Sequence, residues 1–406
     1  MPEVQKKMVT RGEQMLALRK SRMTATIPFL RGGFRPFFFG SATWGLIALL
    51  LWLCSLSGEI VLPTKFEPLA WHRHEMLFGF VGAAVAGFLL TAIPNWTGRL
   101  PIAGRPLLGL FGIWLAARFA LLTSAIIGIA PAAALDVGFF AILTGLCARE
   151  VLAANNRNLP VVGIALLYTL ADATDYAGNA GIARDIGWQA AILLVITMIS
   201  IIGGRIIPSF TRNWLVKQGS RTKLPTQPNT LDLLVIAGTV ISFFFWIALP
   251  GDRRTGQLLI LAALLQFIRL LRWGGLRTYR DPLVLILHVG YFWIPVGLFL
   301  LGLNAAGSEV QRSAGIHALT AGAMSTMILA VMTRATLGHT GRELKAGTAT
   351  ILPYGCVTFG ALLRVAASLD LQPAMPLLDV AGIAWAAAMV IFLATYGPML
   401  WRARAA

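Results

Sequence analysis

Residues 71–99 read WHRHEMLFGFVGAAVAGFLLTAIPNWTGR. No charge interrupts Met76 to Ile93, and a helix of about 20 such residues crosses the roughly 30 Å hydrocarbon core of a bilayer. Charge returns at both flanks, with Arg73 and Glu75 before the run and Arg99 after it. Trp71 and Trp96 stand where interfacial aromatics sit. The stretch reads as a transmembrane helix, and the rest of the chain repeats its pattern. Counting this one, twelve runs qualify: 37–56, 76–93, 107–130, 132–154, 160–178, 188–207, 230–249, 255–273, 282–303, 313–333, 349–368 and 376–400. The predicted fold class is an all-α polytopic membrane protein. A basic tail, 1–36, precedes a single twelve-helix domain, 37–406.

Composition agrees. Of 406 residues, 57% are hydrophobic and 13% charged, where a soluble domain carries about 25% charged residues. One soluble core of this size is excluded, because cores stop growing near 250–300 residues. Cys54, Cys147 and Cys356 lie apart in apolar runs without a CxxC or CxxCH motif, which excludes a disulfide scaffold and covalently attached c-type haem.

The net charge of +17 invites a nucleic-acid reading, but the positions of the charges oppose it. With the N-terminus inside, and with Arg149, Arg205, Arg269 and Arg272 near the span ends counted with the adjoining loops, 26 of the 34 Lys and Arg residues fall on the cytoplasmic side of the twelve-span arrangement and 6 outside, leaving Arg118 and Arg364 within spans. That asymmetry predicts that both termini are cytoplasmic. The basic charge is a topology signal, with attraction to the lipid bilayer second. The first residues lack a long apolar core with a cleavage site and read as a cytoplasmic tail.

The end of span 2, Thr97-Gly98-Arg99, recurs as Thr340-Gly341-Arg342 at an offset of 243, which also carries His74 onto His317 and Gly79 onto Gly322. An offset of 114 carries Ile93, Pro94 and Thr97 onto Ile207, Pro208 and Thr211. Three four-span units in one orientation fit these matches. Such repeats occur in transporters, and haem–copper oxidase core subunits also have twelve spans in three four-helix arcs.

Only five histidines exist: His72, His74, His288, His317 and His339. Imidazole is a frequent metal and haem-iron ligand, and ionisable groups inside a bilayer are functional candidates. In a regular helix His72 and His74 point about 200° apart and cannot ligate one atom. His317 lies level with that pair near the outer surface. His288 lies roughly 15 Å deeper at 1.5 Å per residue, and His339 falls in a loop. His72, His74 and His317 are therefore candidate haem or metal ligands, with His288 a deeper ligand or a plain helix–helix hydrogen-bonder. Arg118 and Arg364 need anionic partners. Asp172 and Asp175 are candidates, and haem propionates are the alternative, with Arg73 also placed to meet them. Asp172, Asp175 and Tyr176 also have the composition of a proton relay. Met324, two turns from His317, is a soft candidate for copper. No phosphate loop, GxSxG, HExxH or dinucleotide glycine motif is present.

These residues resemble the NnrS family nearly end to end. The matching segments are Phe34-Arg35-Pro36-Phe37-Phe38, Trp71 to Met76 with Gly79-Phe80, and Gly87 to Ala92 with Asn95-Trp96-Thr97-Gly98. Further matches are Gly204-Arg205 with Pro208 and Thr211-Arg212-Asn213, His288 with Gly290-Tyr291, His317 to Thr320, and Met327 to Arg334 with Gly338 to Arg342. The resemblance implies a haem b protein, with copper as a second metal, linked to nitric oxide, nitrosative stress and denitrification. It departs in span 5. Family members often carry Asn and His there, whereas this chain reads Leu170-Ala171-Asp172-Ala173-Thr174-Asp175-Tyr176, so a ligand from that position would be missing.

The leading expectation is a membrane haem protein that binds or processes nitric oxide near the outer half of the bilayer. Turnover, as by a haem/copper-dependent oxidoreductase, would need protons and a membrane electron donor. The alternatives are a secondary transporter of a small solute or metal ion, and a protective factor with structural haem.

Overall fold

The computed structural model describes residues 26–220, 224–369 and 374–404, with Gln14 and Ala17 besides, so most of the predicted tail lies outside the described residues. The described residues form no β-strand. They form twelve long helices: α1 Phe34–Leu56, α2 Pro68–Thr97, α3 Arg105–Leu122, α4 Ile129–Ala153, α5 Leu159–Asn179, α6 Gly187–Lys217, α7 Thr230–Ala248, α8 Arg253–Leu271, α9 Pro282–Ala305, α10 Arg312–His339, α11 Thr348–Ala367 and α12 Ala374–Trp401. All but α5 are long and apolar enough to cross a membrane. α5 has the length, but it carries Asp172 and Asp175. The chain is a multi-pass membrane protein.

Each predicted run meets one helix, with shifted ends. α2 starts at Pro68, whose missing N–H costs nothing in a first turn, so His72 and His74 lie inside the helix. α3 ends at Leu122, and a short helix, Ser124–Ile127, leads to Gly128 at φ 86° and the start of α4. The break therefore falls before residue 130, where the sequence reading placed it. α6 continues through Pro208 to Lys217. α10 runs on to His339, which closes a helix where a loop was expected.

α2 and α10 share an irregularity. Each begins as an α-helix, loosens into a π-helical segment, Glu75–Val81 or Ala318–Met324, and then resumes α-helix. The two segments are separated by the offset of 243 that relates the sequences. His74 and His317 each immediately precede their π segment. A π segment disturbs the regular bonding ladder, and in α2 three side chains from other helices bind its carbonyls. Tyr168 Oη donates to Leu77 O at 2.6 Å, Trp114 Nε1 to Gly79 O at 3.3 Å, and Ser41 Oγ to Phe80 O at 2.8 Å. α6 has no such segment, so the third unit matches in its Pro208 region only.

Neighbouring helices pack in sequence, and α12 returns against α1. Buried Arg35 fixes that closure. Its Nη1 donates to Leu400 O at 2.8 Å and Arg402 O at 2.7 Å, binding carbonyls that a helix C-terminus leaves unpaired.

Candidate functional site

The first turns of α2 feed two different assemblies, because His72 and His74 leave the helix on opposite faces. His74 is fully buried and enters a charged cluster between α2, α3, α4 and α5. Its Nδ1 lies 2.8 Å from Asp175 Oδ2, and its Nε2 lies 3.0 Å from Asp136 Oδ2 and 3.8 Å from Asp172 Oδ1. Glu75, the next residue, accepts from Trp44 Nε1 at 2.6 Å and from Arg118 Nη1 at 2.7 Å. The other terminal nitrogen of Arg118 pairs with Asp136, which also accepts from Tyr176 Oη at 3.2 Å. Arg73 completes the rim, 2.9 Å from exposed Asp185 and 3.7 Å from Asp175, with its guanidinium over the Trp188 ring.

Gly79 makes the Glu75 contact fit. A Cβ there would stand 2.5 Å from Glu75 Oε2 and 2.9 Å from the Trp44 ring. Its repeat equivalent, Gly322, is pressed in the same way against Trp293. Both π segments thus use a glycine to admit a tryptophan from the bundle.

His72 faces the other way. Its ring stacks on Trp52 of α1, with centroids 4.7 Å apart, and its Nδ1 is buried without a hydrogen-bond partner among the described residues. His317 of α10 lies within electrostatic reach of His72, and Arg364 of α11 within reach of both. His317 Nδ1 lies 2.8 Å from Ser313 O. Only a protonated Nδ1 can bond that carbonyl, so the neutral ring carries its lone pair on Nε2. Arg364 donates to Ser368 and forms no ion pair among the described residues.

The four predicted ligands therefore separate. The structure puts His74 among carboxylates, while His72 and His317 lie on other faces, within electrostatic reach of each other. His288 stands near the opposite end of α9 from the α9–α10 connection. There it shares a 2.8 Å hydrogen bond with Thr211 and packs against Gly275 and Trp273. His339 packs on Phe34, and Met324 is buried in the core.

The expected partners of Arg118 need correction. Glu75 and Asp136 hold it, while Asp172 and Asp175 face His74. Arg73 is held by Asp185, so it does not stand free for a propionate. Asp136 escaped the sequence reading, although a lone carboxylate in an apolar run is as costly as the arginine it neutralises. Arg269, counted as a loop residue, is buried in α8. It bonds Asp232 and Tyr291 Oη, both at 2.7 Å, and Ser200 O at 3.1 Å. Gln266 joins Ser200, Thr239 and Tyr291 to the same network.

Where α2, α6 and α10 meet there is an apolar cavity of about 80 Å³, bordered by Val85, Phe88, Met198, Ile202, Met327 and Val331. The units related by sequence repeat thus converge on one cavity, which lies further along α2 and α10 than His72, His74 and His317. No curated protein matches the chain. The family described as NnrS protein matches residues 28–404, nearly its whole length, and the chain belongs to the NnrS protein family.

Proposed function

We propose that this protein is a haem b protein of the bacterial inner membrane, with both termini cytoplasmic, and that it binds or processes nitric oxide and protects against nitrosative stress. Its family membership ties it broadly to nitric oxide. The observation that carries the haem reading is that His72 and His317 lie within electrostatic reach of each other and of Arg364. The two imidazoles come from repeat-related helices, one with a buried nitrogen lacking a hydrogen-bond partner among the described residues and the other with its Nδ1 bound to a carbonyl. A backbone partner on Nδ1 is the usual support of a ligating imidazole, because it fixes the tautomer and aims Nε2 at the metal. In this reading His72 and His317 hold the iron, and Trp52 fixes the plane of the His72 ring. Arg364, without a carboxylate partner among the described residues, receives a haem propionate.

The iron supplies the affinity for nitric oxide. The apolar cavity suits a small neutral molecule that dissolves in lipid, since apolar cavities stay dry and take apolar guests. Copper is the second metal of this reading, and a membrane electron donor is its partner if nitric oxide is turned over.

The test is an oxidised and reduced absorption spectrum of detergent-purified protein, with pyridine haemochrome and elemental analysis on the same sample. A b-type spectrum that shifts with nitric oxide is expected. His72→Ala and His317→Ala should each lose most of the haem. A colourless protein after growth with haem supplied would overturn the reading and favour a secondary transporter.

A further inference from the structure

The cluster around His74 contains more negative than positive charge. Glu75, Asp136, Asp172 and Asp175 are all fully buried, and the basic side chains paired with them are Arg118 and Arg73. With His74 neutral, four carboxylates face two guanidiniums, and an uncompensated buried charge is strongly unfavourable. Closing the deficit takes two positive charges.

Hydrogen bonding shows where they belong. When His74 is the neutral Nδ1–H tautomer, Asp175 accepts from Nδ1–H and a lone pair is left on Nε2. That lone pair faces Asp136 Oδ2 at 3.0 Å and Asp172 Oδ1 at 3.8 Å. Asp172 is wholly buried, and neither of its oxygens has a hydrogen-bond partner among the described residues. The Arg269 network is different, for there Asp232, Gln266 and Tyr291 all find partners. In that tautomer three electron-pair donors converge, of which Asp136 is already held by Arg118 and Asp172 by no group among the described residues. They lie within 4.8 Å of one another, which bonds of about 2.0–2.2 Å to a central ion would close with small side-chain movements. A carboxylate on the far nitrogen, here Asp175, is the usual support of a ligating histidine.

The geometry points to a divalent transition-metal site formed by His74 Nε2, Asp136 Oδ2 and Asp172 Oδ1 between α2, α4 and α5. Its ligands are one imidazole and two carboxylates, a set suited to Mn²⁺, Fe²⁺ or Zn²⁺. It contains none of the sulfur that Cu⁺ prefers. The ion supplies the missing two charges, and the site is separate from His72 and His317 and does not depend on haem there.

The experiment measures Mn, Fe, Zn and Cu per chain in the purified full-length protein, with haem iron determined separately and subtracted. About one non-haem Mn, Fe or Zn per chain is expected, either as purified or after incubation with one of these metals alone. Loading with Mn²⁺ should give a bound-ion electron paramagnetic resonance signal. Asp172→Asn and His74→Gln should lower the non-haem metal at least about tenfold while haem content stays constant. Asp175→Asn should weaken binding by about 10–100-fold, the usual cost of losing such a support. Gel filtration checks that each variant remains monodisperse, and the wild-type Mn²⁺ measurement stands if one does not fold. The proposal is overturned if the wild-type chain takes up none of the three metals or copper alone. It is also overturned if folded Asp172→Asn and His74→Gln retain the metal, in which case protons balance the cluster.

Discussion

At the scale of single residues, Arg118 shows what a guanidinium does at membrane depth. It reaches Glu75 with one terminal nitrogen and Asp136 with the other, so one side chain compensates carboxylates from α2 and α4. Removing it leaves both carboxylates buried and uncompensated, a cost of about 3–5 kcal/mol. We expect Arg118→Met to show a lower thermal midpoint and a smaller monodisperse fraction in gel filtration. Arg118→Lys should rescue little, because one ammonium cannot replace a planar fork between two acceptors. Wild-type stability in Arg118→Met would mean that these pairs do not hold α2, α3 and α4 together. The histidines were legible in the sequence because they are rare, and the opposed faces of His72 and His74 followed from helical periodicity. Asp136 was not legible as a partner. No neighbouring residue marks it, and its pairing with His74 and Arg118 exists only after three helices assemble.

At the scale of elements, the π segments decide which way the histidines face. Each segment holds excess backbone relative to an α-helix, and removing one residue turns the N-terminal part of the helix by about 100° relative to the C-terminal part. Deleting Ala321, which lies within the π segment of α10, should therefore swing His317 away from His72. The haem spectrum should fall to background, and non-haem metal at His74 should persist because α2 is untouched. Deleting Phe78 in the α2 segment turns both His72 and His74, and both signals should then fall. Unchanged haem after Ala321 deletion would remove His317 from the ligand pair. The twelve helices were legible from their apolar runs. The π segments were not, since a widened turn leaves no compositional mark, although the repeat offset already paired their positions.

At the scale of the molecule, the parity of the spans rests on α5. It is the one long helix not apolar enough to be recognised as a span by itself, and with eleven spans the two termini would lie on opposite sides of the membrane. Its packing favours counting α5 as a twelfth crossing. The polar residues Asp172, Asp175 and Tyr176 are buried in the cluster, while Leu166, Leu167 and Leu170 face outward where lipid would lie. The connections flanking α5 are tied to opposite ends of α2. Asn156 donates to Trp96 O near the end of α2, and Arg73 near its start bonds Asp185 in the α5–α6 connection. α2 has 30 residues, a length of about 45 Å at 1.5 Å per residue, so α5 runs alongside a complete span. A green fluorescent protein fused to the C-terminus should therefore fluoresce in the cytoplasm. Alkaline phosphatase should be active when fused at Gly181 and inactive when fused at Asn155. If activity at Asn155 and Gly181 falls on the same side, α5 does not cross. The cluster around His74 would then have to form with α5 entering and leaving by the same face, which its ties to both ends of α2 do not allow.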